Sequence, residues 1–270
     1  MATAAQIAEH YDSLAFIYRN FWGDHIHHGL FFTGDESPQQ AQERMVDECA
    51  HKLGPFVHAR VLDVGCGHGG TLVRLVKLHG ASQAVGLTLS TKQAKLAREN
   101  AQKAGLAEQI TAVHQDVETY EFPAASFDLV WTMESSEHFQ DKPAYFRNVA
   151  KTLRPGGKLL LAAWTGSMQS PRVREVAQRF LCPAIQTADD YAVQIEAAGM
   201  TLQSREELRD SVVRTWEICQ EYAGNAGPML SLLPRAAREF VAGIPVILNA
   251  YRSGDLGYTV LTAQKPGQSL

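Results

Sequence analysis

The 270-residue sequence predicts an α/β protein built on a doubly wound, mostly parallel seven-stranded sheet. Three observations carry that prediction. Short aliphatic runs alternate with helix-period segments from Ala59 to Ala163, the rhythm of strand–helix–strand crossovers. The run Val61-Leu62-Asp63-Val64 ends in the glycine-rich turn Gly65-Cys66-Gly67-His68-Gly69-Gly70, which opens into the helical pattern Thr71–Val76. Lys158–Ala163 is, after its first residue, an uninterrupted apolar run suited to a strand buried on both faces.

Taken in order, residues 3–22 read as a helical lead-in rich in aromatics, including Tyr11, Tyr18 and Trp22. Gly23–Gly29 is a loop carrying His25, His27 and His28. Metal ligands come at fixed spacing with a carboxylate or thiolate partner, so these histidines read as a pocket-covering loop that hydrogen-bonds through imidazoles; no metal is predicted. Ser37-Pro38-Gln39-Gln40 starts a helix, with a capping serine, proline at the first position and glutamine at the third. That helix stops near Gly54-Pro55. Strand one is Ala59–Val64, and the helix after the glycine turn ends at Gly80. Gln83–Leu89 is strand two, and Ser90 caps the next helix with Gln93 as its box partner, Gly105 ending it. Ile110–His114 and Phe127–Met133 are strands three and four, and Lys142–Leu153 is a helix. Pro155-Gly156-Gly157 turns the chain into strand five, Lys158–Ala163.

After Trp164 the rhythm changes. Gly166–Pro183 reads as loop and helix, Thr187 opens a helix closing at Gly199, and Met200–Glu206 is a sixth strand. Asp210–Tyr222 and Arg235–Tyr251 are helices broken by Gly224, Gly227-Pro228 and Gly243, and Tyr258–Gln264 is the last strand. The expected organisation is one domain over 1–270. Within it, 1–55 form an N-terminal helical cap, 56–165 the cofactor core, 166–255 a helical lid over the acceptor, and 256–270 the last strand and a loose tail.

Composition bounds the function. A formal net charge of −4 gives no electrostatic footprint for nucleic acid. No apolar run reaches the length of a membrane span, and the amino terminus has no apolar core of a signal peptide. The four cysteines, Cys49, Cys66, Cys182 and Cys219, form no CxxC pair and read as reduced thiols of a cytoplasmic protein. The oligomeric state is open, a homodimer included.

The glycine turn names the cofactor class. Gly65, Gly67 and Gly70 satisfy the dinucleotide pattern G-x-G-x-x-G, yet a dinucleotide site wants an acid about 20 residues on for the ribose. Strand two ends on Thr88 and contains no acid. Asp63 before the turn would crowd a pyrophosphate but accepts hydrogen bonds from a cationic amino-acid group. A cationic cofactor without phosphates fits, and S-adenosylmethionine has that description. Buried between glycine and aliphatic neighbours, Asp63 needs a partner, and a ligand is the natural one.

The motifs now on the page resemble those of class I S-adenosylmethionine-dependent methyltransferases over roughly Ala59–Ala163, which implies a Rossmann-like methyltransferase fold. Val61–Gly70 resembles the family's first motif, placing Gly65 and Gly67 at the cofactor. Gly86-Leu87-Thr88-Leu89-Ser90 with Gln93 is similar to the second-strand motif of the cyclopropane-synthase-like and γ-tocopherol-methyltransferase-like branches, where Thr88 and Gln93 would replace the usual acid at the ribose. Gln115-Asp116-Val117 resembles the adenine motif, which implies cofactor roles for Asp116 and Val117. Leu153–Gly157 resembles the turn before strand five. Trp131–Phe139 and Trp22–Gly29 are similar to segments of tocopherol-type enzymes. In similar enzymes amino-terminal tyrosines close over the cofactor, which places Tyr11 and Tyr18 there, although an aromatic stripe at this spacing equally serves a core.

The acceptor chemistry sits after strand four, at the carboxyl edge where open α/β sheets bind ligands. His138 has an ordinary pKa near neutrality and suits a general base for a phenol, hydroxyl or ammonium acceptor. Its rival reading is a structural histidine bonding a backbone carbonyl. Glu137 is the second catalytic candidate, against a capping or pocket-shaping acid, and Glu134 is placed beside the cofactor. Trp164, Phe180 and Trp216 are either an aromatic acceptor wall or core. The expected activity is methyl transfer to a small organic oxygen, nitrogen or ring carbon, releasing S-adenosylhomocysteine, as in natural-product methylation. Lipid cyclopropanation, an NAD-dependent oxidoreductase and a non-catalytic cofactor-binding module are the alternatives.

Overall fold

The computed structural model describes residues 2–267. Seven strands form one sheet in the order β3-β2-β1-β4-β5-β7-β6. Their ranges are β1 Arg60–Val64, β2 Gln83–Thr88, β3 Ile110–His114, β4 Phe127–Met133, β5 Leu153–Gly166, β6 Thr201–Glu207 and β7 Leu256–Gln264. Strands β1 to β5 pair in parallel, and β7 runs antiparallel to both β5 and β6. The order reverses between β1 and β4, which makes their carboxyl ends the switch point where such sheets bind ligands.

Side chains alternate across each central strand, and both faces are covered. Val61, Leu129, Trp131, Leu160 and Ala162 face one core, beneath Met45 and Cys49 of α2 (Pro38–Leu53) and Leu72 and Leu75 of α3 (Gly70–His79). Their neighbours Leu62, Val64, Val130, Leu159 and Leu161 face the other core, under Phe146 and Val149 of α5 (Lys142–Thr152) and Tyr191 and Ile195 of α7 (Ala188–Ala197). Burial of each such side chain is worth about 1.5–3 kcal/mol, so the sheet is a rigid platform for its carboxyl edge.

Local signals fix the helix starts. Ser37 and Gln40 form the reciprocal capping box of α2, and Thr187 and Asp190 form another at α7. At α4 (Thr91–Lys103) the Ser90 side chain accepts from Gln93 N–H, but the Gln93 side chain is turned toward Thr88 instead of returning to the cap. The expected box at Ser90 is therefore one-sided, because the Gln93 amide oxygen accepts from Thr88. The chain opens with α1 (Ala4–Ile17) and one π-helical turn, Tyr18–Trp22, which closes at Gly23 with φ +95°. Asp12 ties α1 to the start of α4, accepting from Ser90 Oγ and from Lys92 N–H (3.0 Å).

Other expectations change in detail. Strand β5 begins at Leu153, before the Pro-Gly-Gly turn, because Leu153 pairs with Phe127 ahead of a register shift. The helix expected over Asp210–Tyr222 is divided into α8 (Arg209–Val212) and α9 (Arg214–Ala226), and Gly224 lies inside α9. The last helix, α10 (Arg235–Arg252), runs unbroken through Gly243 and Pro245. A Cβ at Gly243 would lie 3.1 Å from the Phe180 ring, so this glycine permits close packing of α10 on the segment after α6 (Pro171–Arg179). No described helix is long and apolar enough to cross a membrane. Of the tail after Lys265, residues 268–270 lie outside the described residues.

Candidate active site

A cavity of about 900 Å³ lies over the carboxyl ends of β1, β2 and β4. Eleven of the twelve site residues expected from sequence line it. Asp116 is the exception: its carboxylate accepts from Glu118 N–H at 2.9 Å within its own turn, and it lines a small adjoining crevice.

At the cofactor end the glycines are required sterically. Gly65 has φ +88°, and a Cβ there would stand 2.3 Å from the Ser135 side chain. Gly67 has φ +52°, and its Cβ would meet Ile26 at 2.9 Å. Both glycines of this turn line the cavity with bare backbone.

Three buried polar atoms around this cavity have no protein partner: Asp63 Oδ2, His68 Nε2 and Gln93 Nε2. Burial alone pushes the Asp63 carboxyl up to about 8. Thr88 Oγ1 donates to Gln93 Oε1 at 2.7 Å, which orients the Gln93 amide so that its N–H₂ is left for an outside acceptor. Two acceptors and one donor, on a wall without lysine or arginine, fit a ligand with N–H or O–H donors, a hydroxyl oxygen and no phosphate. The ammonium and ribose of S-adenosylmethionine carry groups of these kinds. His68 was not found from sequence; a histidine inside a glycine turn carries no signal of its own.

After β4 the chain makes a sharp turn. Glu134 has φ +51°, a left-handed conformation uncommon outside glycine, and its carboxylate is filled by four donors. Oε1 accepts from His28 N–H (2.7 Å) and Tyr258 Oη (2.9 Å); Oε2 accepts from His28 Nδ1 (2.7 Å) and Trp164 Nε1 (3.2 Å). Burial opposes the charge, but the His28 contacts outweigh it and hold this carboxyl below its ordinary range. Trp216 Nε1–H donates to His28 Nε2 at 2.6 Å, and an indole N–H only donates. His28 is therefore the neutral Nδ1–H tautomer. A carboxylate has about four acceptor positions, so Glu134 has none left for a cofactor. It joins the His28 loop, β5, β7 and, through His28, α9 and α10, while still lining the cavity.

Glu137 and His138 form the 3₁₀ turn Ser136–His138. Trp164 N–H donates to Glu137 Oε1 at 2.6 Å, and burial raises this carboxyl to about 7. His138 Nδ1 lies 3.2 Å from Leu181 O, and Nε2 lies 2.9 Å from Tyr11 Oη. The carbonyl fixes the proton on Nδ1, so Nε2 accepts from the tyrosine hydroxyl. Burial lowers His138 to about 4. At neutral pH it is a neutral imidazole with both nitrogens engaged, one of them on a backbone carbonyl.

The remaining wall is apolar. Tyr18 stacks on Tyr11 (6.5 Å) and meets Phe240 of α10 edge-on (5.6 Å), and all three rings line the cavity. Phe180 and Trp216 pack on one another at 5.3 Å and line the same cavity, so they are wall and core together. The loop histidines hydrogen-bond as expected: His25 Nδ1 to His27 Nε2 at 3.1 Å, and His27 Nδ1 to His28 O at 2.8 Å. Among the described residues no group of three histidine, cysteine or acidic side chains is placed to hold a metal ion.

Sheet order, glycine turn and unpartnered acid together define a class I S-adenosylmethionine-dependent methyltransferase. The chain belongs to the mycolic acid cyclopropane synthetase family, whose match spans residues 1–224. It is 30% identical to 27-O-demethylrifamycin SV methyltransferase of Amycolatopsis mediterranei, over 98% of each chain. It is 29% identical to the chloroplastic tocopherol O-methyltransferase of Arabidopsis thaliana, over 96% of this chain and 82% of that protein. The fold superimposes on a cyclopropane synthase of Mycobacterium tuberculosis with TM-score 0.86 at 21% identity, covering 98% and 99% of the two chains.

Proposed function

We propose that this enzyme methylates a hydroxyl oxygen of a neutral, largely apolar small molecule, with Glu137 taking the proton. The observation that carries this reading is the acceptor end of the cavity: aromatic and aliphatic walls, no lysine or arginine, and one carboxyl raised to about 7. An apolar wall favours an uncharged acceptor, and a phosphorylated one would find no cation to pair with. S-adenosylmethionine supplies the electrophilic methyl group. Asp63, Thr88, Gln93, Val117 and the bare backbone at Gly65 and Gly67 hold it, while Asp116 stands at the edge of the adenine end. Glu137 accepts the acceptor's proton as its oxygen gains the methyl carbon, so no charge is left on the product. Tyr11 and His138 act as a hydrogen-bonded pair that positions the acceptor, and the tight packing of Tyr18 on Phe240 shapes the wall.

The relatives support the acceptor class, since the rifamycin and tocopherol enzymes are named for O-methylation of hydroxyl-bearing molecules. The chain works as one catalytic unit, with 1–55 as cap, 56–165 as cofactor core, 166–255 as lid and 256–270 as closing strand and tail. Its four free thiols, three of them buried, suit the reducing cytoplasm. The test is methyl transfer to a panel of neutral phenols and macrocyclic alcohols, amines, prenyl phosphates and unsaturated acyl chains. Turnover confined to the neutral hydroxyl compounds is expected. Preference for phosphates, or methylene insertion into the acyl chains, would refute the reading.

A further inference from the structure

We propose that His68 binds the amino-acid end of S-adenosylmethionine through Nε2 and, through Nδ1, ties the bound cofactor to the hinge of the amino-terminal helix. The imidazole is almost wholly buried, at 1% exposure, and lines the cavity. Its Nδ1 lies 3.2 Å from Gly23 O, a pure acceptor, so Nδ1 carries the proton and Nε2 presents a lone pair. That Nε2 has no protein partner. A buried acceptor without a donor is costly, and the cofactor's ammonium brings three N–H donors to this side of the sheet.

The position in the topology selects which end of the cofactor arrives. Thr88 and Gln93 follow β2 and Asp116 follows β3, so ribose and adenine extend outward along the order β1-β2-β3. His68 follows β1, at the inner end of that line, on the way to the acceptor side. Gly23, its other partner, ends the π-helical turn after α1, has φ +95°, and has no neighbour within 4 Å of a would-be Cβ. It is the residue at which the amino-terminal helix ends and the following loop begins. The main chain of His68 is held separately, its carbonyl accepting from Asn100 Nδ2 at 3.0 Å. The imidazole is therefore not needed to build the turn. A donor at Nε2 also fixes the tautomer that holds Gly23, so ligand and joint are coupled through one ring.

The inference rests on the cofactor assigned above and not on the identity of the acceptor. Two variants and two ligands separate the ring's functions. His68→Asn keeps an N–H near the place of Nδ1 and removes Nε2; His68→Gln does the reverse. Calorimetry should show S-adenosylhomocysteine binding His68→Asn about 10-fold more weakly than wild type, while methylthioadenosine, which lacks the amino-acid end, changes by less than about 2-fold. His68→Gln should hold S-adenosylhomocysteine within about 3-fold, yet exchange backbone deuterium faster over residues 4–22 with ligand bound. The readout is a ratio of two affinities in one variant, so a changed folded fraction cancels. Equal weakening of both ligands in His68→Asn, or no weakening of either, overturns the proposal; so does unchanged exchange over 4–22 in His68→Gln. Wild-type protein that binds neither ligand would overturn the cofactor assignment itself.

Discussion

Asp63 and Glu134 are buried acids at the carboxyl edges of neighbouring strands, and they meet opposite surroundings. Asp63 stands in β1, opposite Trp131 of β4, with one oxygen unpartnered and its carboxyl raised to about 8. Glu134, one residue past the end of β4, receives four hydrogen bonds and stays charged. Burial acts on both in the same direction; the supply of donors decides the outcome. Where the protein supplies every donor the acid is scaffold, and where it withholds them the acid is kept for a ligand. Glu137 is intermediate, with one strong donor from Trp164 N–H, and that is the condition of a group that can gain and lose a proton near neutrality.

The sharpest way to break this contrast is at the intermediate acid. Glu137→Gln should lower kcat about 1,000-fold and abolish the rise of the pH–rate profile with its midpoint near 7, with cofactor affinity almost unchanged. The profile rises with pH because the base must be ionised. Next, Glu134→Gln should destabilise the protein by about 3 kcal/mol, read as a fall in Tm on the order of 10 °C, because an amide cannot accept four donors. Asp63→Asn should do the reverse. Binding of S-adenosylhomocysteine weakens about 10-fold or more, while the ligand-free protein gains stability at pH 8. The sign follows from linkage: a carboxyl whose folded value, about 8, exceeds its unfolded value favours the folded state less as pH rises from about 4 to 8. The gain in the variant should therefore grow across that window and vanish below it. The smallest effect is a proton count. Binding at pH 7 in buffers of different ionisation enthalpy should release about one proton per site, because a cation beside Asp63 draws its carboxyl down from about 8. A release near zero would mean that Asp63 does not meet the ammonium.

The contrast also marks how far the sequence could be read. Strands β3 and β4 match the expected ranges residue for residue: β4 is a run buried almost throughout, and β3, at the sheet edge, is a short β-branched run with inward Ile110 and Ala112 buried and Thr111 and His114 exposed. Asp63 was legible as an acid short of partners, because an acid among aliphatic and glycine neighbours has none nearby, and one of its oxygens is indeed unpartnered. Glu134 was not legible as a strut. Its donors and their supports, His28, Trp164, Trp216 and Tyr258, come from four segments spread over 230 residues, and no local pattern announces their meeting. His138 shows the same limit: its carbonyl partner, Leu181, is 43 positions away and decides the tautomer. Gly243 failed as a breaker because its role is set by Phe180, far off in sequence. Local propensity places elements; which buried groups are satisfied is a property of the assembled molecule.

Trp164 gives that property a practical form. Its main-chain N–H holds Glu137 and its indole N–H holds Glu134, so one residue supports the proposed base with its backbone and the Glu134 cluster with its side chain. Only the second service is encoded by residue identity. Substitution at position 164 therefore removes a donor from Glu134 while leaving the donor to Glu137 in place, and a survey of melting points among variants would register that loss directly.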